Sequence, residues 1–574
     1  MTQRKVLNIQ KTEHIREIAK IMNKKRIFPI QKLFLIWTVF TVCYLVSWQS
    51  AAQAGQNNSE KTESADKLYV HQFEFEGATV FSDQELTSIV ASYLDREITT
   101  EDMFDARDAL TRHYVDNGYI NSKAILPNMQ IADGKLVVQI IEGRITGIKV
   151  SGNKRLRTEY IAPRLKQAIR FDNNEPLDIN VVQERLKLFK KDPRIKNITA
   201  KIEPQAEVQN AVLHIIVEEA RPYHTAISFN NHKPPAIGSY AFNVIASLVN
   251  LTGWGDSLHG EWGFIEETDE YAVSYAVPVS KWDTTLSFGA DRSVSTLATT
   301  PLPTQDIVSL TETYSALLHH PFYKTLSQEF AMVLQFDRRR NKTTDTSGEP
   351  YFVNPDVADN VSKASILRFS QEWARRDLKH VFSARSAFNF GLNLSDTTAY
   401  DDAYPDGHFA SWLGQFQWLQ RMKIQRLPDS LLSMRLNLQL SDDPLPPMEK
   451  FVIGGSSSVR GYKENLMTTD NGIVGSFEWR LQVAQFKIPW FDNEMKNGSL
   501  WLCPFFDIGR GWNVNAPDPE PDEIYSTGLG LRGSLNKIFQ FKFYWGIGLK
   551  DVADSGAYDI QKYGIHFEIS ADLF

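Results

Sequence analysis

The last 355 residues of the chain, from Ala220 to Phe574, repeatedly alternate apolar and polar residues and show almost no helical periodicity. In Leu432–Ser441, leucine or methionine at every second position alternates with serine, arginine, asparagine and glutamine. A period of two places successive side chains on opposite faces of a β-strand, so one face is apolar and the other polar. Runs of about ten such residues, with aromatics near their ends, are typical of outer-membrane barrels, whereas sandwich strands are usually shorter. We therefore predict that this region is all-β and forms a transmembrane β-barrel.

Sixteen candidate strands can be distinguished in this region. They lie near residues 223, 239, 255, 270, 283, 308, 328, 363, 380, 409, 430, 472, 498, 525, 540 and 563. An even number of antiparallel strands returns both ends of the barrel to one side, which we predict to be the periplasm. The polar connections Arg339–Asn360 and Ser395–Gly407 are predicted to be outer loops. The last strand alternates Ile565, Phe567 and Ile569, and the chain ends on Phe574.

A targeting segment is predicted at the N-terminus. A basic stretch that includes Lys24-Lys25-Arg26 precedes the uncharged apolar run Leu33–Trp48, and Ala52-Gln53-Ala54 follows as a small-x-small cleavage pattern. The apolar run is short for a membrane-spanning helix, which needs about 20 residues. We therefore predict a signal peptide at residues 1–54, with a retained signal anchor as the alternative and Met22 as an alternative start.

Charge and cysteine content exclude two classes of function. Residues 1–54 hold nine of the 62 Lys and Arg residues and two of the 69 Asp and Glu residues, so the remainder carries a net charge of −14. Nucleic-acid binding relies on neutralising phosphates with basic residues, so we expect no such partner. Cys43 lies in the predicted signal peptide, which leaves Cys503 without a partner for a disulfide or a thiolate metal cluster.

Two small α+β modules are predicted between the leader and the barrel, after a short polar linker at residues 55–67. Residues 68–143 and 144–219 share the order strand, helix, helix, strand, strand. In the first module, Ser82 and Glu85 have the spacing of a helix-capping box, and Gly118 ends the second helix. A mixed sheet covered by two helices can bind an extended partner as an added strand. The alternative is that the modules are packing spacers.

The first module resembles a polypeptide-transport-associated (POTRA) domain. The resemblance rests on Phe73–Phe81 at its opening, Asn117-Gly118-Tyr119, Ala124–Pro127, Asp133-Gly134 and Ile141-Glu142-Gly143. Because residues 144–219 repeat the order of elements, the resemblance implies two POTRA domains.

Arg460 is the most informative single residue of the barrel region. It lies in Val459-Arg460-Gly461-Tyr462, directly after the Gly/Ser-rich stretch 454–458. A guanidinium is always charged and has five donors, so in a confined place it needs an acidic partner. About forty-five residues on, Phe505-Phe506-Asp507-Ile508-Gly509 offers a carboxylate on a predicted strand. For an isolated loop motif the alternative is a solvated surface loop.

Taken together, these features resemble the two-partner secretion transporters of the Omp85 superfamily, of the haemolysin-activator and filamentous-haemagglutinin transporter type. The resemblance implies two POTRA domains followed by a sixteen-stranded antiparallel barrel at residues 220–574. The sixth extracellular loop, about 443–471, would fold into the lumen with the signature Val459, Arg460, Gly461 and Tyr462. Phe505, Asp507 and Gly509 match the strand signature of the family, so an Arg460–Asp507 contact is implied.

Two features depart from the pattern of this family. Cys503 stands two residues before Phe505, where a small residue is usual. Many members begin with a helix that plugs the pore, but only the short polar stretch Gly55–Asp66 precedes the first predicted strand here. We therefore assign no plug helix.

The resemblance implies a transporter, not an enzyme, in the bacterial outer membrane with its POTRA domains in the periplasm. Its cargo would be an unfolded partner exoprotein with an N-terminal secretion domain, held by the POTRA domains as an added strand. Outer-membrane lipid and, during biogenesis, the barrel-assembly machinery are the other expected partners. One alternative is an assembly or insertion factor of the same superfamily, which typically carries more POTRA domains. The other is an outer-membrane barrel enzyme.

No motif predicts catalytic residues, a cofactor or a metal site. His319 and His320 are adjacent on a predicted strand and so point to opposite faces, which argues against joint metal ligation. Arg338-Arg339-Arg340 and Arg375-Arg376 are predicted to be interface or lumen charges. Gly528-Leu529-Gly530 lacks the following helix that a phosphate-binding loop requires.

Overall fold

The computed structural model describes residues 68–127, 133–265, 269–297, 307–345, 348–349, 361–392, 408–423, 429–487, 498–536, 538–552 and 559–573. The predicted signal peptide at 1–54, the linker at 55–67 and the predicted outer loop Ser395–Gly407 lie outside these residues. None of the helices described is both long and apolar enough to cross a membrane.

The first module folds around a three-stranded sheet. Its elements are β1 (Leu68–Val70), β2 (Gln72–Glu76), α1 (Asp83–Val90), β3 (Arg96–Ile98), α2 (Thr100–Asp116), β4 (Lys123–Ile125) and β5 (Lys135–Ile141). Strand β5 is central, parallel to β2 and antiparallel to β4, while β1 pairs with β3. The order of elements predicted for this module has one strand before the first helix, whereas the structure has two, β1 and β2. Val70 and Phe73 are both buried although three residues apart, which requires the break at His71.

Local hydrogen bonds fix both helices of this module. Ser82 Oγ accepts from the Glu85 N–H at 3.3 Å, and a reciprocal capping box joins Thr99 and Asp102 at the start of α2. The hydrogen bond from the Thr99 N–H lowers the pKa of Asp102. The buried carboxylate of Glu142 accepts from the N–H groups of Thr79 and Val80, at 2.7 and 2.9 Å, and so ties the segment after β2 to the end of β5.

The second module repeats this plan. Its elements are β6 (Arg144–Ser151), α3 (Thr158–Ala168), α4 (Ile179–Phe189), β7 (Ile195–Pro204) and β8 (Asn210–Glu219). Strand β8 is central, parallel to β6 and antiparallel to β7. Backbone hydrogen bonds join the modules, because the Ile179 N–H donates to the Gly118 carbonyl at 3.0 Å and the Leu177 N–H to the Gly143 carbonyl at 2.8 Å.

Sixteen antiparallel strands close into a barrel, which confirms the predicted fold. The strands before the long sixth loop are β9 (Tyr223–Asn230), β10 (Ala241–Val249), β11 (Ser257–Ile265), β12 (Asp269–Pro278), β13 (Thr285–Leu297), β14 (Ile307–Lys324), β15 (Gln328–Asp345), β16 (Val361–Arg376), β17 (His380–Leu392), β18 (Ala410–Met422) and β19 (Ser430–Ser441). That loop contains the short strands β20 (Phe451–Ile453) and β21 (Met467–Thr469). The remaining barrel strands are β22 (Asn471–Phe486), β23 (Gly498–Trp512), β24 (Glu523–Leu535), β25 (Phe539–Gly548) and β26 (Ile565–Asp572).

The predicted outer loop Arg339–Asn360 is wrong at its start, because β15 continues to Asp345. Polar side chains at the start of this segment form hydrogen bonds along β15 and to the neighbouring strand β14. The Asn341 side chain, which is fully buried, donates to Thr311 Oγ1 at 2.9 Å and accepts from Thr343 Oγ1 at 2.9 Å. A run of polar residues therefore does not end a strand when their side chains hydrogen-bond within the sheet.

Asp283 attaches the second module to the base of the barrel. It lies in the turn between β12 and β13 and accepts from Arg164 Nε of α3 at 2.7 Å. Arg185 of α4 approaches the same carboxylate at 3.5 Å, and Lys324 of β14 at 3.6 Å. Because these charges are largely buried, the module is held against the barrel by more than a surface contact.

Candidate functional site

The connection between β19 and β22, residues 442–470, folds back into the barrel instead of extending outward. Within it β20 and β21 pair as a short hairpin. The glycine- and serine-rich stretch forms the turn that follows β20, with the Gly454 N–H donating to Ser458 Oγ at 2.8 Å and the Gly455 N–H to the Val459 carbonyl at 3.1 Å. This turn presents Arg460 to the barrel wall.

Arg460 is 3% exposed and meets Asp507 of β23, whose side chain is fully buried. Its Nε lies 2.7 Å from Asp507 Oδ2 and its Nη2 lies 2.9 Å from Oδ1, so the pair is bidentate. The Arg460 backbone N–H also donates to Oδ2 at 3.1 Å. The contact therefore fixes the loop backbone as well as the side chain.

A second carboxylate and two aromatic rings complete the surroundings of Arg460. Its Nη1 donates to Glu478 of β22, and its Nη2 lies 3.2 Å from Ser476 Oγ. The guanidinium carbon lies 3.8 Å from the centre of the Phe505 ring and 4.7 Å from that of Tyr544 on β25. Stacking on aromatic faces and pairing with two acids suit a guanidinium held away from water.

Gly461 lies where the loop backbone touches the barrel backbone. Its φ is +94°, which disfavours any side chain. A Cβ there would also lie 2.9 Å from the carbonyl carbon of Gly546 on β25. Two glycines facing each other therefore allow the two backbones to meet.

The remaining signature residues pack around this contact. Val459 is fully buried in a cluster with Ile453 and Ile524, and Tyr462 Oη lies 3.0 and 3.1 Å from the carbonyls of Tyr525 and Lys550. On β23, Gly509 leaves the space that Val459 and Ile453 fill, since a Cβ there would lie 2.9 and 2.6 Å from their methyl groups. The structure thus brings together Val459, Arg460, Gly461, Tyr462, Phe505, Asp507 and Gly509.

A second anchor, which the sequence analysis missed, holds the loop on another part of the wall. Glu449 is 6% exposed, and its Oε1 accepts from Arg339 of β15 at 2.6 Å. Arg368 of β16 donates to both oxygens of Glu449 at 2.8 Å and, through its Nε, to Asp337 at 2.7 Å. The alternation of β15 could have indicated that Arg339 is a lumen charge, because it turns Arg339 inward and its neighbours Arg338 and Arg340 outward, but it carries no signal for Glu449.

The loop also reaches the junction of the first and last strands. The Glu464 N–H donates to Gln561 Oε1 at 2.9 Å. The Gln561 side-chain amide donates in turn to the carbonyls of Asn231 and Lys233, directly after β9, at 2.8 and 2.7 Å. Strands β9 and β26 pair over only five residues, so these side-chain contacts add to the closure of the barrel.

Neither catalysis nor metal binding is indicated by this arrangement. Within the described ranges, no group of His, Cys, Asp and Glu side chains is placed to hold a metal ion. The cluster around Arg460 consists of matched charges and hydrogen bonds, which hold a loop in place. Cys503, which stands where the family usually has a small residue, is fully buried in the barrel wall beside Phe505 and Tyr544.

Comparisons with known proteins agree with this architecture. The profile of the family described as "Haemolysin secretion/activation protein ShlB/FhaC/HecB" matches residues 209–533, and that of the ShlB-type POTRA domain matches residues 68–143. The outer membrane transporter CdiB of Dickeya dadantii is 20% identical over 473 residues, covering 80% of this chain and 79% of CdiB. The hemolysin transporter protein ShlB of Serratia marcescens is 22% identical, covering 82% and 80%.

Solved structures show the same fold. CdiB from Escherichia coli superposes with a TM-score of 0.62 at 18% identity, covering 91% of this chain and 93% of CdiB. BamA from Haemophilus ducreyi lacking POTRA domains 1–3 gives a TM-score of 0.54 at 12% identity, covering 88% of this chain and all of that one. The family profile spans more than half of the chain, and the relatives are outer-membrane transporters. This chain therefore belongs to the ShlB/FhaC/HecB family of haemolysin secretion/activation proteins, a family of outer-membrane two-partner secretion transporters.

Proposed function

We propose that this transporter moves an unfolded partner exoprotein through its barrel and that the anchored sixth loop controls passage. The observation that carries the proposal is the attachment of one loop to two parts of the inner wall. Glu449 binds β15 and β16, whereas Arg460 binds β22 and β23. A chain entering the lumen must pass this loop or displace it.

The buried ion pairs suit a switch with two positions. Removing one partner of a buried pair costs about 3–5 kcal/mol, because a charge is left uncompensated. The loop therefore stays in place unless the two charged side chains of a pair separate together and each is then hydrated or binds a new partner. Packed elements with two discrete arrangements are the usual basis of such transitions.

The two N-terminal modules are proposed to receive the partner in the periplasm. Each three-stranded sheet leaves two outer strands, β2 and β4 in the first module and β6 and β7 in the second. An extended segment of the exoprotein's N-terminal secretion domain can add to such an edge through main-chain hydrogen bonds. Side-chain pockets at alternate positions would then give specificity.

Export of a co-encoded exoprotein tests this function. In the producing bacterium, deletion of the gene should remove the exoprotein from the medium, and the wild-type gene supplied in trans should restore it. The amounts of folded porins in the outer membrane should not change. A loss of folded porins with normal exoprotein export would instead support an assembly or insertion factor.

A further inference from the structure

A cavity of about 340 Å³ lies between the second module and the periplasmic mouth of the barrel. One wall is the C-terminal half of α4 and the segment after it, with Arg185, Leu188 and Lys191. The other wall is formed by barrel residues at the periplasmic ends of β12 to β16. The structure describes all of the connections that border the cavity: 279–284, 325–327 and 377–379. The cavity therefore needs both the module and the barrel.

The barrel side of the cavity belongs to the face that lines the lumen. On β14, His319 lies opposite Val333 of β15, which is 5% exposed, whereas the neighbouring Leu334 is 47% exposed and faces lipid. On β16, Trp373 is 40% exposed on the lipid side, so alternation turns Arg376, three residues later, to the lumen side. A chain that moves from the second module into the lumen therefore passes this cavity.

Both walls carry cations whose hydrogen-bond donors are only partly used. Arg164 holds the carboxylate of Asp283 at 2.7 Å. Arg185 of α4 and Lys324 of β14 approach the same carboxylate only at 3.5 and 3.6 Å. The side chain of Arg376 forms no ion pair or hydrogen bond with any residue that the structure describes. Because a guanidinium has five donors and an ammonium has three, these side chains retain donors for a ligand.

Contacts within the junction hold the cations of α4 in place. The guanidinium carbon of Arg185 lies 5.0 Å from the centre of the Phe189 ring. Lys191 Nζ donates to the carbonyl of Leu326, in the turn between β14 and β15, at 3.0 Å. Groups that are already ordered lose little conformational entropy when a ligand binds. The junction therefore presents a preorganised set of donors.

The acids beside the cavity are largely engaged within their own segments. Asp192 pairs with Arg194 at 3.0 Å. Asp377, in the turn after β16, accepts from the backbone N–H groups two and three residues on, at 2.7 and 2.8 Å. Glu329 lies opposite Lys324 on neighbouring strands and faces the cavity. Glu329 is therefore the acid that competes with a ligand for the cations of the barrel wall.

We propose that this cavity binds acidic side chains of the unfolded exoprotein as that chain leaves the second module for the lumen. The site rests on the proposed passage of the exoprotein through the barrel, and it gives the entrance a chemical preference. Arg185 and Arg376 would donate paired, charge-assisted hydrogen bonds to a carboxylate, and Lys324 would add a point charge. A cavity of this size takes a few side chains, so it binds the chain weakly enough to release it into the lumen.

Fluorescence anisotropy of labelled peptides with the full-length protein in detergent tests the site. The probes are peptides of equal length in which serine alternates with aspartate, with asparagine or with lysine. We expect the aspartate peptide to bind and the other two to remain free. The triple variant Arg185→Gln, Lys324→Gln, Arg376→Gln should bind the aspartate peptide at least about tenfold more weakly. Glu329→Gln removes the competing acid and should strengthen binding about threefold.

Two single variants separate ligand binding from docking of the module. Arg185 and Lys324 also approach Asp283, so the triple variant weakens the attachment of the module as well. Arg376→Gln breaks no contact of its side chain within the described residues and should still weaken peptide binding about threefold. The matched control is Arg375→Gln, which removes the neighbouring cation from the lipid side of β16 and should leave binding unchanged. Equal binding by Arg376→Gln and Arg375→Gln, or equal binding of the asparagine peptide, would overturn the proposal.

Photo-cross-linking distinguishes failure of this site from failure of the proposed transport function. A photo-cross-linking residue at Leu188, in the cavity wall, should attach to an exoprotein stalled during export, and Arg376→Gln should lower the yield. Attachment at Ser383, on the inward face of β17, with none at Leu188 would overturn the entrance site and leave the transport function standing. Attachment of phospholipid instead of exoprotein at Leu188 would likewise overturn the site. Attachment at neither position while export proceeds would overturn passage through the barrel itself.

Discussion

Asp507→Arg is expected to abolish export of the partner exoprotein while the protein still reaches the outer membrane. The substitution places a second cation against Arg460, which is 3% exposed and bound to Asp507 through three hydrogen bonds. Loss of one partner in such a buried pair costs about 3–5 kcal/mol, and a like charge adds to that cost. The loop should therefore leave its position on β23. Export is measured as exoprotein in the medium, and barrel insertion by heat-modifiable migration of the outer-membrane fraction.

A neighbouring surface ion pair provides the control for this variant. Arg510 and Asp522 lie 3.0 Å apart near the extracellular end of β23, with side chains 59% and 36% exposed. Exposed pairs contribute little, about 0–1 kcal/mol, so Asp522→Asn should export normally. Asp507→Asn keeps the shape but removes the charge and should export less than wild type. Wild-type export by Asp507→Arg would rule out a role for the loop contact in transport.

Glu449→Ala is expected to free the other end of the loop. Glu449 accepts three hydrogen bonds from Arg339 and Arg368. The alanine side chain accepts none, so both guanidinium groups lose this carboxylate partner. Arg368 retains Asp337, so the strands themselves should stay folded. The loop should detach from β15 and β16 at a cost of about 3–5 kcal/mol, which widens the lumen. We expect a higher single-channel conductance in planar bilayers and reduced export.

The control for this variant is another inward pair, Arg385 and Glu372. These side chains lie 3.5 Å apart and are 35% and 42% exposed, so their interaction is weak. Glu372→Ala should therefore leave the conductance near the wild-type value, although it also removes a carboxylate from the lumen. If Glu449→Ala conducts and exports as wild type does, the second anchor has no part in gating.

The barrel could be predicted from the sequence because its signal is local. Each strand alternates its own apolar and polar residues, so all sixteen strands were located from periodicity and turn residues alone. The predicted start of the loop at Arg339 was wrong, because hydrogen bonding of Asn341 to Thr311 depends on the neighbouring strand. A polar residue that finds its partner across a sheet cannot be told from a loop residue by composition.

The site could be predicted only in part, because only some of its residues stand in a motif that can be recognised locally in the sequence. Arg460 and Asp507 each stand in a short motif whose spacing can be recognised. Glu449 stands in no such motif, and its partners Arg339 and Arg368 are 110 and 81 residues away. Only the closed barrel brings them together. The inward alternation of β15 identifies Arg339 as a lumen charge, but it does not identify the loop residue that binds it.

The most direct test of the account is to find where the exoprotein lies during export. A photo-cross-linking residue at Ser383, on the inward face of β17, should attach to an exoprotein that is stalled by a folded C-terminal fusion. The same residue at Phe388, which is on the outward face of that strand and 39% exposed, should attach to lipid only. Exoprotein attached at Phe388, or none attached at Ser383 while export proceeds, would contradict passage through the barrel.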